Sequence, residues 1–198
     1  MDKPVEVITN GDKRAEIFFE DFVENPRTFY DGHFGIMICS HDKYNLGDEQ
    51  LNRGDFDSWN AVEEYLVKER DANIILPLYL YDHSGITMRT CSFNDRWDSG
   101  QVGFIYTTLE KCIKEFGDGF SIIKIEEILR AEIDEYDMYL TGDVYWYRIF
   151  EKEEHIMKCP HCDKIINTEE LEIEIDSCGG FYGLDYIREV VKEELGIC

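Results

Sequence analysis

Between Asn73 and Asp82 the chain carries eight consecutive apolar or aromatic residues, Ile74-Ile-Leu-Pro-Leu-Tyr-Leu-Tyr81. A run this short and this apolar reads as a strand buried on both faces, with Pro77 requiring a bulge or an edge at that point because it lacks an N–H. Other strand signals surround it. Val5, Val7 and Ile8 and then Ile17, Phe18 and Phe19 flank Asn10-Gly11-Asp12, the signature of two strands across a tight turn. Phe34–Cys39, Ile86–Cys91, Val102–Tyr106, Val144–Glu153 and Leu171–Asp176 follow as further strands.

Helices are interspersed without a regular strand–helix–strand repeat. Ser58 caps a helix carrying Val62, Tyr65 and Leu66 on one face, and Thr107 with Glu110 forms a capping box ahead of Leu109, Ile113 and Phe116. Ile125, Leu129, Ile133, Tyr136 and Leu140 recur at helical spacing over 123–140, and Leu184, Ile187, Val191 and Leu195 do so near the end. The pattern predicts an α+β fold, a mostly antiparallel sheet partly covered by three or four helices. A length of 198 residues suits a single domain over 1–198, with a small metal knuckle or hairpin insert at about 153–180.

Charge narrows the function classes. Asp and Glu number 43 against 20 Lys and Arg, a net of −23. A protein that binds nucleic acid directly needs a positive footprint to displace counterions, so direct binding is disfavoured and a partner with a basic surface is favoured. Nothing approaches the roughly 20 apolar residues of a membrane span, and Met1-Asp-Lys-Pro-Val has no apolar signal core, which predicts a soluble, cytoplasmic protein without a membrane partner.

Three constellations carry chemistry. Cys159-Pro-His-Cys162 is a thiolate pair at the spacing of one tetrahedral ion, Cys178 follows within zinc-ribbon distance, and His155 or His161 would complete a structural zinc site; two unmetallated thiols are the plainer reading. His41, Asp82, His83 and Asp98, with Asp95 nearby, are the residue types of an acid–base or metal-dependent hydrolase, although Asp82-His-Ser-Gly85 also reads as an ordinary hairpin turn. In Glu170-Leu-Glu-Ile-Glu-Ile-Asp176, alternation places Glu170, Glu172, Glu174 and Asp176 on one strand face at about 6.7 Å intervals, roughly twice the 3.4 Å rise between charges along a DNA strand. Glu126, Glu127, Asp134, Glu135 and Asp137 would extend that acidic surface, and a merely solvated face would look the same.

The blocks His41-Asp-Lys-Tyr-Asn-Leu-Gly-Asp48, Tyr81-Asp-His-Ser-Gly-Ile-Thr87, Trp97-Asp-Ser-Gly-Gln-Val-Gly-Phe-Ile-Tyr106, Tyr139-Leu-Thr-Gly-Asp143 and Asp176-Ser-Cys-Gly-Gly-Phe-Tyr-Gly183 resemble those of an uncharacterised family of small acidic proteins encoded in bacterial prophages, phages and plasmids. The resemblance spans about residues 30–190 and implies a mobile-element setting, but no activity or catalytic residue. Likeness to acidic anti-restriction proteins is one of charge and setting alone. Two functions are therefore expected: a DNA-mimicking, anti-defence inhibitor whose acids occupy the basic nucleic-acid surface of a host complex, with Trp59, Trp97 or Trp146 as anchors, or a small metal-dependent hydrolase acting on a nucleotide or nucleic acid.

Overall fold

The computed structural model describes residues 3–29 and 31–197, and the chain divides into two compact units. Glu24 to Thr141 make up the central unit; the residues up to Val23 and those from Gly142 onward make up the other, here the terminal unit. The fold is α+β, as the sequence predicts.

The terminal unit is an antiparallel sheet. β1 (Glu6–Asn10) and β2 (Lys13–Phe19) meet across Gly11, whose φ of +60° suits the tight turn. β8 (Val144–Lys158) pairs with β2, and β9 (Ile165–Tyr182) pairs with β8, giving the order β1-β2-β8-β9. One face carries Ala15, Ile17, Tyr145, Tyr147 and Ile149, buried beneath Ile187, Val191 and Leu195 at the C-terminal end, where α5 (Leu184–Glu194) packs. Helical spacing of those apolar residues is what lets one helix seal this face.

The central unit holds β3 (Ile36–Cys39), β4 (Glu49–Gln50), β5 (Ala72–Asp82), β6 (Ile86–Arg89) and β7 (Ser99–Thr108) in the order β4-β3-β7-β5-β6. All pairs are antiparallel except β3 with β4. α2 (Trp59–Glu69) covers one face through Val62 and Leu66, against Ile38, Phe104 and Tyr106. α4 (Ile122–Thr141) covers the other through Ile125, Leu129, Ile133 and Tyr136, joined there by Cys112 of α3 (Leu109–Phe116). The one-turn α1 (Pro26–Phe29) precedes β3.

Two local expectations change. Thr108, not Thr107, caps α3, its Oγ1 accepting from Lys111 N at 3.2 Å; Thr107 pairs with Ile74 in the sheet and is buried. Pro77 pairs with Phe104 on one side of β5, and the other side is open there because β6 pairs only from Tyr79 onward. Pro77 thus sits at a local edge of a strand that is interior further along, where its missing N–H breaks no ladder bond.

Candidate functional site

β8 and β9 outrun the rest of their sheet. β2 pairs with β8 only as far as Glu151, while β8 continues to Lys158 and pairs with β9 throughout. The extension is a two-stranded ribbon, and every residue from 152 to 180 except Cys159 is exposed. From Glu151 to Asp176 it carries nine acids against three lysines. No helix or further strand lies over it among the described residues, so Ile165 and Ile166 are 61% and 67% exposed and Leu171, Ile173 and Ile175 are 41–44% exposed.

The acidic stripe is shorter than the sequence suggests. Ile149 pairs with Asp176 and Phe150 with Glu174, so Ile175 is an extra residue in a bulge. Directly paired residues share a face; Asp176 therefore joins the face of Ile149 and Tyr147, while Glu170, Glu172 and Glu174 lie on the opposite one. Tyr147 Oη donates to Asp176 Oδ2 at 2.9 Å, which holds that carboxylate against the core side. On the other face Arg14 reaches Glu172 at 2.6 Å and Lys152 reaches Glu170 at 3.4 Å. Three carboxylates, not four, line up.

The zinc site predicted from Cys159, Cys162, Cys178 and His155 does not form. Among the described residues there is no group of three or more His, Cys, Asp or Glu side chains able to hold a metal ion. The ladder explains why. Cys159 and Cys162 occupy the tip of the ribbon, His155 pairs with Glu169 on its shaft, and Cys178 pairs with Tyr147 at its base. Tyr147 precedes Cys159 by twelve residues of extended chain, about 40 Å at roughly 3.3 Å per residue. A spacing of fifteen residues brings two cysteines together across a short hairpin; here it separates them along one. The same absence of a ligand cluster removes the metal from the predicted hydrolase.

The α4 acids belong to the central unit and divide by role. Glu127 and Asp134 are exposed, and Glu126, Glu135 and Asp137 are half-buried. Asp137 Oδ1 accepts from Thr87 Oγ1 at 2.8 Å and Met88 N at 2.6 Å, tying α4 to β6, and Glu126 lies 3.7 Å from Arg130. Loss of hydration next to the helix surface, and then the neighbouring Asp137 charge, raise the Asp134 carboxyl above its ordinary value although the residue is exposed overall.

His41, Asp82, His83 and Asp98 do converge, all within the central unit. β3 ends at Cys39, whereas its neighbour β7, and β5 on the far side of β7, run on to Ser99 and Asp82. The missing strand length leaves a cavity of about 550 Å³ between the loops 40–43 and 97–99, with Leu80 and Val102 among its lining residues. His41, Asp82 and Asp98 line it, and His83 Nδ1 donates to Asp98 Oδ2 at 2.9 Å. Asp82 receives Lys43 Nζ and Tyr44 Oη, each at 3.2 Å, and the Lys43 hydrogen bond holds its carboxyl below the ordinary carboxylate range.

His41 has a different job from the one its residue type suggests. Its Nδ1 accepts from Lys43 N at 3.2 Å and Tyr44 N at 3.3 Å, and its ring stacks on Tyr44 with centroids 4.9 Å apart. An accepting Nδ1 fixes the Nε2–H tautomer, and the imidazole shapes the loop. Asp95 does the same opposite: Oδ1 accepts from Trp97 N at 2.8 Å and Asp98 N at 2.9 Å, and those backbone N–H groups, Asp98 first, keep its carboxyl low. Ser99, whose hydroxyl is at the pocket wall, donates to Asp95 O rather than to a histidine. The arrangement offers paired donors and acceptors around a concave polar surface. Sequence reasoning missed Trp59, Arg53 and Lys43 as pocket residues; each is separated from the others by loop whose course only the fold reveals.

Among the described residues no helix is long and apolar enough to cross a membrane. The chain matches no family model, and no match to it is found among curated proteins or solved structures.

Proposed function

We propose that the protein works by binding a partner whose basic surface otherwise handles nucleic acid, and that the acidic ribbon of the terminal unit engages it. One observation carries this reading: a ribbon exposed on both faces, with nine acids against three lysines over Glu151–Asp176, stands beyond the sheet with no layer to cover it among the described residues. An isolated two-stranded ribbon is marginally stable in water, and a partner surface supplies what the fold leaves out. The bulge at Ile175 limits the ladder-like match to a phosphate backbone to three carboxylates, two of them already paired. Recognition then rests on the field of the whole ribbon, which speeds encounter with a basic groove, and on Ile156, Ile165 and Ile166, which add apolar area once docked.

In the mobile-element setting that the resemblance implies, the partner is a host nucleic-acid-processing or defence complex in the cytoplasm, and inhibition is by occlusion. Affinity capture from host lysate with the wild-type chain and with a variant carrying Glu→Gln at 151, 153, 154, 169, 170 and 174 tests this. A partner retained by the first, lost with the second, and displaced by duplex DNA and by salt supports it. Equal capture by both chains refutes a role for the ribbon charge.

A further inference from the structure

We infer that the pocket of the central unit is a binding site for a nucleoside, whose base lies on Trp97 and whose sugar hydroxyls are taken by Asp98 and Asp82. The site is independent of the ribbon.

The loop carrying Trp97 is fixed while its side chain is free. Asp95 holds the N–H groups of both Trp97 and Asp98, and the Ser99 hydroxyl bonds back to Asp95 O, so three successive residues are pinned to one aspartate. Trp97 is nevertheless 94% exposed at the wall of a concave, polar cavity. An indole so exposed on so constrained a loop gives the fold nothing; it gives a flat ring a preorganised stacking surface. Trp59 is a second aromatic in the lining, set edge-to-face on Phe104 with centroids 5.9 Å apart and carrying the Arg53 guanidinium 5.0 Å from its ring centre.

The polar groups select against an anionic ligand. Asp42, Asp82 and Asp98 line the cavity against Lys43 and Arg53, and both cations are already engaged, Lys43 by Asp82 and Arg53 by the carbonyl of Phe56. A phosphate would sit among three carboxylates, with only these two partly neutralised cations to offset them. Hydroxyl groups, being donors, match the carboxylates directly, and a nucleobase edge supplies both donors and acceptors for the loops around it. The volume of about 550 Å³ lies in the middle of the range usual for small-molecule sites, roughly 300–1,000 Å³, and accommodates a base with its sugar.

The floor also shows a device that opens space. Leu78 pairs with Gly103 and Tyr79 with Gln101, leaving Val102 as a bulge in β7, and the Val102 carbonyl accepts from Ser40 N at 2.7 Å where β3 ends. The bulge therefore ends one strand and turns the chain aside at the pocket itself.

Calorimetric titration of the full chain with adenosine, guanosine, cytidine and uridine, with their 5′-monophosphates, and with methyl glucoside decides the matter. Saturable one-to-one binding of at least one nucleoside is expected, weaker by several fold for its monophosphate and absent for the glucoside. Trp97→Ala should weaken it about tenfold, the effect of losing one base-stacking surface, without moving the thermal midpoint. Asp98→Asn should weaken it while the ribbon variant leaves it unchanged. Absence of saturation by all four nucleosides at millimolar concentration, tighter binding of the monophosphate, equal binding of the glucoside, or indifference to Trp97→Ala would each overturn the assignment.

Discussion

Arg27 and Asp48 form a two-point ion pair in the interior of the central unit, Nε to Oδ1 at 2.8 Å and Nη2 to Oδ2, with the arginine side chain 1% exposed. Arg27 also meets Glu132 of α4 and the carbonyl of Gly35, each at 2.8 Å, and Asp48 accepts from Met37 N at 2.7 Å. One guanidinium thereby joins α1, β3 and α4. Burial lowers the tendency of Arg27 to stay charged, but Asp48 and Glu132 outweigh it and the group remains protonated. Removing the cation leaves two partly buried carboxylates without their shared partner, so Arg27→Ala should cost about 3 kcal/mol. Arg27→Lys should recover little of that, because an ammonium cannot span both Asp48 oxygens and Glu132. Urea unfolding measures both; a loss below about 1 kcal/mol for the alanine variant would show the network to be dispensable.

Gly103 is required by space. A Cβ built there would stand 2.1 Å from the Ile38 carbonyl oxygen and 2.9 Å from Cys39 Cα, both backbone atoms of the paired strand β3. No side chain can swing away to relieve this, and separating β3 from β7 would also disturb the edge of the pocket. Gly103→Ala should therefore destabilise by about 2–3 kcal/mol, at the upper end of overpacking effects. Gly100, two pairs further along β5, has open space at the same position, and Gly100→Ala should lower the thermal midpoint far less.

These relationships differ in how far the sequence discloses them. The stripe of α4 was legible because Ile125, Leu129, Ile133 and Tyr136 repeat at the helical period, and all four are buried. The β1–β2 turn and the Ser58 cap were legible from local chemistry, Ser58 Oγ accepting from Ala61 N at 3.2 Å. The bulge at Ile175 was not, since the alternation of acids and apolar residues runs through it unbroken and only pairing with β8 breaks the register. Arg27 was overlooked because its partners lie 21 and 105 residues away. At the pocket, residue type singled out His83 and Asp98, yet their bond depends on β5 and β7 being neighbours.

The cysteines should separate by reactivity. Backbone N–H groups of the tip, His161 first, and the Cys162 thiol stabilise the thiolate of Cys159 and lower its pKa, whereas burial first and then Asp48 push the Cys39 thiol up to about 12. Thiolate is the reactive form, so iodoacetamide at neutral pH should modify Cys159 well before Cys39. Peptide mass mapping over time reads the order. Cys39 should react only on the timescale of unfolding, and early labelling there would contradict its placement in the core.

Acid should weaken the terminal unit through Glu16. Its carboxylate lies between Arg14 and Arg148, the latter 2.7 Å away, and both guanidinium groups lie over the Phe150 ring at 4.6 and 5.0 Å. Partial burial pushes the Glu16 carboxyl up, but hydrogen bonds from Arg14 and Arg148 prevail and hold it below the ordinary 4.5. Glu172, bonded to Arg14, is held low in the same way. A carboxyl whose folded pKa is depressed binds its proton more readily when unfolded. Its contribution is therefore complete above the ordinary value and is lost as pH falls through the depressed one. Glu16→Gln should lower the thermal midpoint at pH 7, and the gap between variant and wild type should narrow once pH falls below the ordinary 4.5. Thermal unfolding followed by circular dichroism across that range tests the sign. A gap that stays constant down to pH 3 would mean that Glu16 acts through packing around Phe150 and not through its charge.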